Sequence, residues 1–109
     1  MVRLNVVLSP GSARDVDAVM EALRFVMSGT RIEAGCVSCS AWADPDLSVH
    51  YAEAWSTEAD LHRHVLSPLF TSLLAIVESL PTAPQVQFDF ISASRGLDYV
   101  AEVRKEPFE

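Results

Sequence analysis

The chain has 109 residues, enough for one ordinary domain around a single core and too few for two. Half of the residues are hydrophobic and 21% are charged, the balance of a packed globular protein and not of a disordered tail. A net charge of -7 repels phosphate backbones and anionic lipid, so neither nucleic acid nor a membrane surface is an expected partner.

The start offers only a short apolar stretch before Ser9-Pro10-Gly11, and no apolar run approaches a membrane span. Two cysteines cannot staple a secreted framework of this size. A soluble, cytoplasmic single domain is expected.

From Val2 to Leu8, Val2, Leu4, Val6 and Leu8 alternate with Arg3, Asn5 and Val7, the period of a strand. Ser12 is placed as an N-cap after Pro10-Gly11. Val16, Val19, Met20, Leu23, Val26 and Met27 then recur three and four apart, predicting an amphipathic helix that ends at Gly29. A second strand is expected from Gly35 to about Ala43, a turn at Asp44-Pro45-Asp46, and a third strand from Ser48 to Trp55. Helical spacing resumes at Thr57, is interrupted by Pro68 with Ser67 as a fresh cap, and continues through Val77. Val86, Phe88 and Phe90 alternate along a fourth strand. The tail from Gly96 fits either an extended segment or a short helix, with an extended arm over 96–109 favoured.

The order β-α-β-β-α-β, with two halves of similar length, is that of an α+β, ferredoxin-like fold over residues 1–95: a four-stranded antiparallel sheet with both helices on one face. Parity turns Leu4, Val6, Phe88 and Phe90 toward the helices and Arg3, Asn5, Val7, Gln87, Asp89 and Ile91 away. That second face mixes apolar and polar groups and suits sheet-to-sheet pairing in a homodimer.

A family pattern runs through these elements. Glu33-Ala-Gly35-Cys36-Val-Ser-Cys39, Asp44-Pro45-Asp46, Tyr51-Ala-Glu53-Ala-Trp55, Leu61-His62-Arg63-His64 and Ser67-Pro68-Leu69-Phe70 resemble the antibiotic biosynthesis monooxygenase (ABM) domain family. The likeness covers roughly residues 2 to 93. It implies a dimeric α+β barrel, two ferredoxin-like protomers joined through their sheets, with a substrate pocket between sheet and helices. It also implies cofactor-independent oxidation of an aromatic, phenolic or quinol-like molecule by molecular oxygen. The alternative is a non-catalytic ligand-binding or stress-associated dimer of the same fold.

His64 stands at the family's histidine position and is a candidate for proton handling near neutral pH. His62, two residues away, points elsewhere on a helix. Glu53 lies on a largely apolar strand face, where a carboxylate is either a general base with a perturbed pKa or the structural partner of an arginine. Trp55, Tyr51, Phe70, Phe88 and Phe90 are candidate pocket walls, and Tyr51 and Tyr99 are candidate phenol donors.

Cys36 and Cys39 are expected on opposite faces of a strand, which argues against a redox pair and against a zinc site with the histidines. The resemblance also reaches haem-degrading relatives, which use an asparagine on strand one, a tryptophan on strand three and an axial histidine on the second helix. Trp55 matches. Asn5 has the wrong parity, and residues 71–80 contain no histidine. The four glycines stand apart, with no phosphate-binding spacing, so no nucleotide, flavin or nicotinamide cofactor is implied, and no metal is expected.

Overall fold

The computed structural model describes residues 1–105. Its elements are β1 (Val2–Leu8), α1 (Ala13–Thr30), β2 (Cys36–Ala43), β3 (Val49–Trp55), α2 (Glu58–Val65), α3 (Pro68–Glu78), β4 (Gln85–Phe90) and α4 (Leu97–Arg104). The strands form one antiparallel sheet in the order β2-β3-β1-β4. This is the ferredoxin-like α+β arrangement. The residues from 106 on, part of the expected arm, lie outside the described residues.

Alternation along β1 and β3 decides which face is dry. Leu4, Val6 and Leu8 join Val49 and Tyr51 beneath α1 and α3, with Val16, Val19, Leu23 and Val26 of α1 and Leu73 of α3 packed over them. Burying aliphatic side chains of this kind contributes roughly 1.5–3 kcal/mol each. Ser12, Thr57 and Ser67 cap α1, α2 and α3, each hydroxyl accepting from the backbone N–H three residues on. Pro68 opens α3 at a position whose amide would lack an intrahelical partner anyway.

Gly29 does not end α1. The helix runs on to Thr30, and Gly29 sits where a Cβ would stand 2.7 Å from Leu69 Cδ1, so a glycine lets α3 come close. Gly35 combines a φ of +85° with a Cβ direction that runs 2.2 Å from the Asp60 carboxyl, so the turn into β2 and the start of α2 lie against each other.

Two further expectations need correction. Residues 97–104 are helical rather than extended, because one helix brings Asp98 and Glu102 together against Arg95. No side chain of α4 is buried, and Tyr99 lies exposed beneath the Arg95 guanidinium. Cys36 and Cys39 share a face: a bulge between Cys36 and Ser38 takes up one residue, so they pair with Trp55 and Glu53, two apart on β3. The opposite-face argument against a redox pair therefore fails. Both thiols are free, and burial pushes that of Cys39 up to about 11, which leaves it a poor nucleophile.

The second sheet face carries Arg3, Asn5, Ser40, Trp42, His50 and Ala52, with Val7 and Ile91 half-buried, and no described element covers it. Among the described residues no helix is long and apolar enough to cross a membrane.

Candidate active site

Strand β3 presents Tyr51, Glu53 and Trp55 to the helix side because they alternate with His50, Ala52 and Ala54. Glu53 is 2% exposed, and three polar groups converge on it. Tyr51 Oη donates to Oε2 at 2.5 Å, Trp55 Nε1 donates to Oε1 at 2.9 Å, and His64 Nε2 meets Oε2 at 3.0 Å. Cys39 Sγ extends the chain by donating to Tyr51 Oη at 3.3 Å.

His64 comes from the last turn of α2 and is fully buried. Its Nδ1 faces Glu33 Oε2 at 2.9 Å, from the turn after α1. Carboxylate oxygens only accept, so an imidazole held between two of them carries a proton on each nitrogen. Burial alone would lower the pKa of His64. The hydrogen bond and charge of Glu53, followed by those of Glu33, outweigh it and hold the ring above the ordinary histidine value. Trp55 covers the ring at 4.6 Å between centroids, and Phe70 meets it edge-on at 5.5 Å. Burial, then the Glu53 charge, raises the Tyr51 phenol far above its usual range, so it donates and stays neutral.

The structure therefore brings Glu53, His64, Tyr51, Trp55 and Phe70 together in one sealed cluster. The partner of Glu53 is His64 and not an arginine. An imidazolium has no lone pair to take a proton, and neither charged group reaches a surface where a substrate could meet it.

The open space lies one layer away. A groove of about 270 Å³ runs between α2 and β4, lined by Glu58, Leu61, His62, Val65, Phe88 and Phe90. Leu61 is both its lining and the packing partner of Trp55 and Val2. Phe88 and Phe90 keep the helix-side parity expected of them, pairing with Leu4 and Val2, but stay open to solvent on the edge strand. Of the expected pocket walls, these two line the groove, while Trp55, Tyr51 and Phe70 form the core behind it.

His62 is the functional candidate that sequence reasoning set aside. Its signal was the stripe Glu58, Leu61, His62, Val65, spaced by three, four and seven along α2. A helix that points His64 inward turns His62 outward onto the groove. Asn5 pairs with Ala52 on the opposite sheet face from Trp55, as its parity in the sequence predicts.

No family model matches this sequence, and no curated protein matches it. Its structure does have counterparts. A candidate antibiotic biosynthesis monooxygenase from Deinococcus radiodurans aligns over 88% of this chain and 97% of its own, at a TM-score of 0.74 and 21% identity. A candidate antibiotic biosynthesis monooxygenase from Nitrosomonas europaea gives 0.71 at 16% identity, over 85% of this chain and all of its own. The protein Rv0793 from Mycobacterium tuberculosis gives 0.72 at 20% identity, over 87% and 98%. The chain has the antibiotic biosynthesis monooxygenase fold. Within that fold, the sealed cluster ties α2 to β3, and the groove lies on the other side of the same helix.

The ion pair predicts a pH dependence. A raised folded pKa means that the contribution of His64 is complete below its unfolded value of 6.5 and is lost as pH rises through the folded value. Urea denaturation should show stability declining from neutral to alkaline pH. A Glu53→Gln/His64→Gln variant should lack that decline, and His64→Gln alone should cost about 3 kcal/mol at pH 6 by stranding a buried carboxylate.

Proposed function

We propose that this chain is a cofactor-independent monooxygenase of the ABM type. Its substrate is an aromatic, phenolic or quinol-like small molecule held in the groove between α2 and β4. The observation that carries this reading is the groove itself: two phenylalanines, a leucine and a valine surrounding one histidine, between sheet and helices. Flat apolar rings fit such walls, and a phenolic or benzylic proton would meet His62.

Removing that proton makes the substrate electron-rich enough to pass an electron to oxygen. For an anthrone-type methylene, the carbon becomes a carbonyl with one oxygen atom and the other leaves as water, so all four electrons come from the substrate. A base and an apolar surface are what the protein supplies. His64 and Glu53, the groups first singled out for proton handling, act in this reading as positioning residues. They hold α2 against β3 and so fix His62 over the groove.

Oxygen uptake with anthrones and quinols tests the proposal. His62→Ala should lower turnover about ten-fold or more while thermal stability stays near that of the parent protein. Saturable binding of these compounds with no oxygen uptake would instead favour a ligand-binding protein of the same fold.

The assembly we propose is a homodimer through the uncovered sheet face. Val7, Ala52 and Ile91 supply its apolar centre, and the stacked Trp42–His50 pair lies beside them. Light scattering should give twice the 12.0 kDa chain mass, and Ala52→Arg should return it to the single-chain value. A parent protein that stays at the single-chain mass at high micromolar concentration would contradict the pairing.

A further inference from the structure

The groove does not end at Phe90. A second hollow of about 210 Å³ is lined by Met1, Val2, Glu58, Phe90, Ile91 and Ser92, and it shares Glu58 and Phe90 with the first. Both hollows are walled mainly by apolar side chains. Glu58 stands at their junction, in the first turn of α2, and makes no hydrogen bond or ion pair to the described residues. No lysine or arginine side chain lines either hollow. The α-amino group of Met1 lies at the second one and donates to the Ile91 carbonyl at 3.5 Å.

A lone carboxylate between two apolar surfaces has a definite chemical preference. A ligand covering both hollows takes Glu58 out of water, and the lost hydration must be replaced by a donor. A ligand carboxylate or phosphate there would set two negative charges together with their solvent removed.

We infer that the paired hollows select an elongated aromatic ligand with an uncharged O–H or N–H donor midway along it, received by Glu58, and that they reject acidic analogues. This rests on the reading of the groove as the aromatic site, and it adds the substrate's length, polarity and charge.

Binding of three fluorescent, unreactive probes of one shape tests it: anthracene-9-methanol, 9-methylanthracene and anthracene-9-carboxylate. The alcohol should bind tightest and the carboxylate about ten-fold or more weakly, the size of one charge-assisted hydrogen bond lost and a like charge gained. In Glu58→Gln that ratio should fall below about three-fold, which separates the effect of Glu58 from that of the Met1 amino group. Naphthalene-1-methanol, too short to cover both hollows, should bind more weakly than its three-ring counterpart.

A ratio that Glu58→Gln leaves unchanged, or a carboxylate bound as tightly as the alcohol, would overturn the selection by Glu58 while leaving the oxygenase reading standing. Equal binding of the two-ring alcohol would overturn the use of the second hollow. Failure of every probe to bind would overturn the groove as an aromatic site, and the selection with it.

Discussion

A carboxylate that is 2% exposed in so small a core must find replacements for the hydrogen bonds it lost to water. Glu53 finds them in Tyr51, Trp55 and His64, two from its own strand and one from the helix that follows it. The strand partners come without further ordering, since residues two apart on β3 already share a face. The helix partner does not. Satisfying Glu53 therefore requires α2 to dock with its last turn against β3, and Glu33 completes the charge arrangement from the other side. The buried side chains of α2 are Leu61 and His64, so a helix of eight residues owes its place to one leucine and one histidine paired with two carboxylates.

That docking divides the labour of the helix. The inward face carries His64 into a sealed, charged and aromatic cluster. The outward stripe carries Glu58, His62 and Val65 over Phe88 and Phe90 of the edge strand. Leu61 is the wall between, touching Trp55 behind and the groove in front. A substrate in the groove can meet only a group that faces it, and the histidine lining the groove, His62, is the near neighbour of the one that holds the structure together.

Much of this was legible in the chain. Period-two alternation assigned Tyr51, Glu53 and Trp55 to one face and Asn5 to the other, and three- and four-residue spacing drew α1, α2 and α3. The resemblance to the ABM family, carried by Gly35-Cys36, Glu53-x-Trp55, His64 and Ser67-Pro68-x-Phe70, pointed to the fold that the structural counterparts share. The misses have physical reasons. One extra residue at Val37 makes a bulge and reverses the parity that separated Cys36 from Cys39. Gly29 looked like a helix stop because spacing alone cannot show that Leu69 needs the room. The tail alternates well enough for a strand, and only the Arg95 pairs reveal the helix. His62 was passed over because which way a helix faces depends on what it docks against, and that is tertiary information.

The Glu53–His64 pair is tested most directly by the protonation state of the His64 ring. Nitrogen-15 NMR of the folded protein just above pH 7 should show both ring nitrogens of His64 protonated. Their N–H protons should exchange slowly, as expected for a buried imidazolium between two carboxylates. A neutral ring with one bare nitrogen, titrating near the ordinary value of 6.5, would contradict the ion pair and the docking of α2 that depends on it.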